Sequence, residues 1–187
     1  MRRKDREMSI EFALKLIDRL PYGTLSIIDT KGYPYGLPLS IVRKENTFYF
    51  HSAKQGKKVE ALNKNAAASL SFVGETNIPE LYSQSQLQEF LNDEQKGATL
   101  ISKVFTTEFE SAIVLGKVEL VENKNEAIEA MRLICQKYTP TKMHLFDLAI
   151  NAGLSRTHVY KLKATSITAK RKQFDSMGEE MKWQREE

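Results

Sequence analysis

The stretch TFYFHSAKQGKKVEALNKN, Thr47 to Asn65, decides how the rest of the chain is read. It opens as a strand, because Phe48 and Phe50 alternate with Tyr49 and His51 in a β-rich run. It breaks at Ser52-Ala53-Lys54-Gln55-Gly56 and resumes as a short helix in which Val59 and Leu62 lie three apart on one face. Lys57 and Lys58 fall at the start of that helix. The helix macrodipole disfavours cations there by roughly 0.3–1 kcal/mol each, and a bound anion reverses the sign of that cost. Free backbone N–H groups, a permissive glycine and two ammonium groups make a phosphate seat. The same residues also suit a solvated surface turn with lysines kept for solubility, and the motif alone leaves both readings open.

Working outward, Ser9 caps a predicted helix to about Leu20 with an apolar stripe of Ile10, Ala13, Leu14 and Ile17. Pro21-Tyr22-Gly23 stops it. Thr24 to Asp29 is a strand, Asp29-Thr30-Lys31-Gly32 its turn, and Tyr33 to Arg43 a second strand. Pro34 and Pro38 give no ladder donor, so that strand is expected at an edge or bulged. Ala67 to Val73 and Ser111 to Glu122 follow as strands, with Thr99 to Thr107 as a further candidate. Residues 74–96, rich in Gln, Ser, Asn and Glu, form a long excursion with one short helix, suited to a lid or contact arm. A helix runs from Asn125 to Tyr138 and ends before Pro140, Cys135 lying on its buried stripe. Met143 to Ala152 is a second short helix, and Thr157 to Thr168 the last strand. Some six strands with two or three helices predict a small antiparallel barrel with peripheral helices, mainly β with an α+β character. Residues 1–172 are expected to form one domain, with a charged C-terminal tail at 173–187.

Composition sets the outer limits. The chain has 187 residues, 41% hydrophobic and 28% charged, with a net charge of +4 that permits a nucleic-acid partner without demanding one. A single cysteine excludes an internal disulfide and a cysteine-only metal cage. The opening MRRKDREM leads into a charged amphipathic helix, so neither a signal peptide nor a membrane span is expected and the protein is read as cytoplasmic. His51, His144 and His158 lack zinc-site spacing, and no metal site is expected. Only His51 adjoins the candidate phosphate seat; the other two are read as surface or packing residues. Asp147 to Leu162, DLAINAGLSRTHVYKL, has the look of a helix-turn-helix, with Arg156 and Lys161 suited to DNA. No third helix precedes it in a compact register, and β-type alternation follows His158, so DNA binding ranks last.

Four pieces together carry a family resemblance: the MRRKDREM opening; Gly32-Tyr33-Pro34-Tyr35 with Pro38; Tyr49-Phe50-His51-Ser52-Ala53 with Gly56-Lys57-Lys58; and Glu110 to Gly116, ESAIVLG, before the Asn125 helix. In these the chain resembles the split-barrel flavoproteins related to pyridoxamine 5'-phosphate oxidase, and within them the nitroimidazole-resistance branch. Two departures are visible: a longer 74–96 excursion, and Ala169 where relatives tend to have glycine. The resemblance implies a six-stranded antiparallel Greek-key split barrel that forms a homodimer with FMN between subunits. It implies Lys57 and Lys58 at the phosphate, and Pro38, Leu39, Ser40, His51, Ser52 and Ala53 along the flavin. Ser111 lies near the matching cofactor region, from the same or the other subunit. The reaction it implies is an FMN-dependent reduction of a small molecule, a nitro group in that branch, with His51 facing the flavin as the catalytic residue. A flavin- or haem-binding module without turnover is the alternative.

Overall fold

Ser9 starts the first helix as its side-chain chemistry dictates: its Oγ accepts the Phe12 N–H at 3.1 Å. The helix it caps, α1 (Ile10–Arg19), buries Ala13, Leu16 and Ile17, while Ile10, expected in the stripe, is 59% exposed. The computed structural model describes residues 3–92 and 96–182. Residues 93–95, at the end of the expected 74–96 excursion, and 183–187, at the end of the expected tail, lie outside the described residues, as do the first two residues of the MRRKDREM opening.

The strands are β1 (Glu7–Met8), β2 (Gly23–Ile28), β3 (Pro34–Leu39), β4 (Val42–Lys44), β5 (Thr47–Ala53), β6 (Ala67–Asn77), β7 (Glu108–Leu120) and β8 (Thr157–Lys172). They pair antiparallel in the order β3-β2-β6-β7-β8-β5-β4, with β1 added to β8. The fold is therefore mainly β, with eight strands in place of the six expected. The difference has two sources. The two-residue β1 is too short to leave a pattern, and the expected Tyr33–Arg43 strand divides at Ser40-Ile41 into β3 and β4.

That division makes the barrel. β3 and β4 stand at opposite ends of the pairing path, yet only Ser40 and Ile41 separate them in the chain. Three peptide steps span at most about 11 Å, so the sheet must roll until its first and last strands meet. The seam is bridged by covalent chain instead of a ladder. Its backbone still needs partners, because Ile41 is 1% exposed. The Tyr138 hydroxyl supplies them, accepting the Ile41 N–H at 3.0 Å and donating to the Ile41 carbonyl at 3.1 Å. Lys137 Nζ donates to the carbonyls of Ile17 and Ile41, both at 3.3 Å. Pro34 and Pro38 sit on an edge strand, as their missing donors require.

The main core fills the barrel with Phe48, Phe50, Phe72, Leu70, Val114 and Leu162, closed by α1 and by α2 (Lys57–Lys64). A second cluster, Val42, Tyr49, Val121 and Val159, lies on the other face of β4, β5 and β8 under Ala127, Ala130 and Ile134 of α5 (Lys124–Tyr138). Here α5 is tied down by Glu126, which accepts from Tyr49 Oη at 3.1 Å and from Lys161 Nζ at 2.8 and 2.9 Å. Desolvation, with the Glu126 hydrogen bond, pushes the Tyr49 hydroxyl up to about 12.

Three further expectations change. Thr99 to Thr107 is not a strand: α4 (Gly97–Thr99) is a short helix continued as a π-helical turn through Leu100–Val104. The apolar run is amphipathic on a helix, leaving Ile101 73% exposed. The helix-turn-helix pattern fails at its second helix. The first, α6 (Phe146–Gly153), gives way to a short turn, and Thr157 onward is β8. The final strand also outruns its expected end at Thr168, pairing Lys170 with Glu7 and Ser111 and burying Lys172. The excursion carries its expected short helix as α3 (Gln84–Phe90), its start closed by a capping box between Ser83 and Gln86.

Candidate functional site

The stretch from β5 into α2 delivers the candidate residues by its local chemistry. Gly56 turns the chain with φ 112°, a conformation that L side chains rarely adopt. No side chain caps α2. The N–H groups of Lys57, Lys58 and Val59 thus open the helix without helical acceptors, at its positive end.

The two lysines have different surroundings. Lys57 Nζ is 3.0 Å from the carboxylate of Asp29 and 4.2 Å from the centroid of Tyr35. Asp29 is buried, and its Oδ1 accepts the N–H groups of Lys31 and Tyr33 at 2.9 and 2.8 Å. The Tyr33 N–H first, then Lys57, holds the Asp29 carboxyl below its usual value. Lys58 has no ion pair among the described residues, and its ammonium lies 5.8 Å from the Phe50 ring centroid. Desolvation lowers its pKa. Of the two lysines at the start of α2, Lys58 is therefore the one whose charge is left to meet an anion.

His51 belongs to the same locality. It is exposed on the open side of β5, and its imidazole is pushed below the ordinary histidine value by desolvation first and by the Lys58 charge second. Ser52, one residue on, faces the barrel side opposite His158 in the β5–β8 ladder. Its hydroxyl donates to the Ala53 carbonyl at 2.6 Å and shares a hydrogen bond with Tyr160. His158 Nδ1 is 3.3 Å from the Tyr160 hydroxyl, and Tyr160 stacks on Phe50 at 5.4 Å. Ala53 is exposed at the strand end.

Pro38 is exposed on the outer face of β3, whereas the Leu39 side chain packs on the main core, leaving only its backbone for a ligand. Ser40 is half-buried at the seam and hydrogen-bonded to Tyr138. Ser111 lies elsewhere on the barrel. The register Pro38↔Thr24↔Ser71↔Ile113 places Ser111's strand three steps from Pro38, about 14 Å at the usual strand spacing. There it lines a shallow depression of about 500 Å³ with Phe109, Ile113, Thr168, Ala169 and Lys170.

Pro38 and Ser111 nevertheless share one outer sheet face. β6 contributes Ser69, Ser71 and Val73 to it, and β7 contributes Ser111, Ile113 and Leu115. Between Ser69 and Val73 on β6 and between Ser111 and Leu115 on β7 this face carries no charge; Lys117 and Glu119 follow on β7, and Lys170 pairs with Ser111 on β8. Val73, Ile113 and Leu115 are 66%, 45% and 48% exposed.

The sequence pattern did not point to Asp29, Tyr35, His158 or Tyr160. Asp29 reads as an ordinary turn residue, and His158 reaches Ser52 only through a long-range strand pair. His158 thus joins Ser52 and Tyr160 on the barrel side, whereas His144 stands apart, exposed in the turn before α6.

A rolled antiparallel sheet whose ends are joined at Ser40-Ile41, with peripheral helices and an uncapped helix start carrying Lys57 and Lys58 near Asp29 and Tyr35, has the architecture of a split barrel. The chain belongs to the pyridoxamine 5'-phosphate oxidase family, whose model matches residues 10–171. None of the curated proteins matches the sequence. Among solved structures it is similar to a protein assigned to 5-nitroimidazole antibiotic resistance from Bacteroides thetaiotaomicron, with a TM-score of 0.63 and 20% identity over 87% of this chain and 84% of that one. It is also similar to an FAD and haem binding protein from Mycobacterium smegmatis, TM-score 0.68 and 16% identity over 89% and 73% of the two chains. A flavocytochrome from Azotobacter vinelandii gives a TM-score of 0.67 at 16% identity, covering 91% of this chain and 72% of that one. At these identities the likeness speaks for the fold. No helix among the described residues is long and apolar enough to cross a membrane.

Proposed function

We propose that the protein is a cytoplasmic FMN-binding oxidoreductase that reduces a small molecule. The observation that carries this reading is Lys58, a partly desolvated cation without an ion pair among the described residues, set in the open first turn of α2. That arrangement fits a phosphate monoester, and it stands in a chain of a family named for an oxidase of a phosphorylated substrate. Lys58 and the first-turn N–H groups would hold the phosphate; Pro38, the Leu39-Ser40 backbone and Ala53 would line the ring. FMN, when bound, supplies hydride transfer, and the chain has to seat it and manage protons. His51 would hold or donate a proton at an imidazole nitrogen.

The same reading includes a homodimer. The outer face of β6 and β7 is apolar and hydroxyl-bearing over two strands, the composition of a surface covered by a partner. Ser111 stands about 14 Å from Pro38's strand within one chain, so a ligand at α2 would meet a Ser111 most directly across such an interface. A nitro compound is the substrate class favoured by the resemblance to the nitroimidazole-resistance branch and by the Bacteroides neighbour.

The second reading is a flavin- or haem-binding module without turnover, favoured by the names of the Mycobacterium smegmatis and Azotobacter vinelandii neighbours. The absorbance spectrum of the purified protein tests both. Flavin bands that bleach on anaerobic addition of NADH or NADPH and return with a nitroaromatic acceptor are the expected result. A Soret band without flavin, or flavin that no donor reduces, would overturn the enzyme reading.

A further inference from the structure

A cavity of about 110 Å³ lies between α5, α6 and the start of β8, away from the Lys58 seat. Its walls are apolar: Met131 from α5, Phe146 and Ile150 from α6, and Leu154 beyond it. Among the lining residues the polar side chains are the half-buried Cys135 thiol and Thr157, whose hydroxyl already donates to the Gly153 carbonyl at 3.1 Å. Water needs two to four polar partners to be held in such a place, and these walls offer almost none. The pocket is partly open to the surface, and at this size and lining it gives a small apolar ring contacts that water cannot use.

Thr157 fixes where the cavity stands. It pairs with Ala53, and His51 pairs with Val159, so Thr157 and His51 are diagonal neighbours on one sheet face, about 7–8 Å apart. Val159, between them in the ladder, is part of the core cluster that Leu154 and Met131 pack against. We infer that this cavity is a binding site for a small uncharged ring compound, one strand step from His51. The inference does not rest on flavin binding.

Gly153 provides the test. It has φ −110°, and a Cβ there meets nothing within 4 Å, so a side chain can be placed at the cavity without backbone strain. Benzene is the probe, read by saturation-transfer NMR on the full chain, with iodoacetamide labelling of Cys135 reporting location. The wild type should show saturable benzene binding, and benzene should slow the labelling of Cys135. Gly153→Leu should melt as wild type and bind benzene about tenfold more weakly or less, because its own side chain buries that apolar surface. Ala149→Phe at the exposed rim repeats the test if Gly153→Leu melts early. No saturable binding to the wild type, or equal binding by a folded variant, overturns the site. FMN titration of the same samples reports separately, so loss of one reading leaves the other standing.

Discussion

Lys57 donates to a buried carboxylate and Lys58 has no ion pair among the described residues, so the two alanine substitutions should part in their effects. Lys58→Ala should weaken FMN by about 10–100-fold and riboflavin little, since a charge-assisted bond of roughly 1.5–3 kcal/mol acts only on the phosphate. Isothermal titration with both ligands reads this, and equal losses would move the phosphate elsewhere. Lys57→Ala should instead lower the melting temperature by a few degrees. The sign of its pH dependence follows from Asp29, whose folded pKa lies below its ordinary value of 3.8. A depressed carboxyl stabilises the fold above that ordinary value and loses the contribution as pH falls through the folded one. The stability gap between wild type and Lys57→Ala should therefore be full at neutral pH and close below about pH 4. His51 is the other residue with a pH signature. Its folded pKa is lowered from 6.5, so the free protein carries a neutral imidazole at pH 7. If protonated His51 is the acid, kcat/KM should fall as pH rises through a value below 6.5. The kcat limb should sit higher, because a bound phosphate offsets Lys58. His51→Asn should bind FMN as wild type while turnover drops by roughly 10²–10⁴. Unchanged turnover would leave His51 a packing residue.

At the scale of elements, the seam between β3 and β4 explains what a sequence can and cannot disclose. Pro34 and Pro38 announce an edge strand, since a missing N–H is a local fact. That the run breaks at Ser40-Ile41 is set by Tyr138, nearly a hundred residues on, whose hydroxyl meets both backbone groups of Ile41. The same contrast holds elsewhere. Ser9, Gly56 and the capping of α1 are local and legible, whereas the helical state of Leu100–Val104 is not, because its β-branched and apolar residues satisfy both periods. In the site, His51 and the lysine pair lie in one continuous stretch and could be found there. Asp29's hold on Lys57, and the Ser52–Tyr160–His158 set, exist only after β2 meets α2 and β5 meets β8. The seam gives its own prediction. Tyr138→Phe removes a donor and an acceptor from a buried backbone, although Lys137 still reaches the Ile41 carbonyl. It should cost about 1–3 kcal/mol in urea unfolding. It should also weaken riboflavin and FMN alike, because Ser40 loses its anchor. A loss confined to FMN would place the effect at the phosphate and not at the seam.

On the scale of the whole molecule, the outer face of β6 and β7 decides between a chain that works alone and one that needs its copy. Val73, Ile113 and Leu115 stand in solvent on that face among serines, and the depression beside them contains Ser111. A monomer gains nothing from leaving such residues unscreened, and a closely packed two-fold interface buries them together. The expected mass in light scattering is accordingly twice the 21.4 kDa of the chain. Ile113→Lys places a charge at the middle of the face, on a residue 45% exposed whose neighbours inside the barrel, Ala112 and Val114, keep the core intact. The isolated chain has room to solvate that lysine, so its melting temperature should change little. The dimer would have to bury it without a partner, at a cost of several kcal/mol from each side, and should dissociate at micromolar concentration. If Ser111 serves the site across the interface, FMN affinity should fall with the dimer, and it should do so although Lys58 and His51 are untouched. A variant that turns monomeric and keeps full FMN affinity would confine the site to one chain. Wild-type protein that scatters as 21.4 kDa with flavin bound would remove the interface altogether.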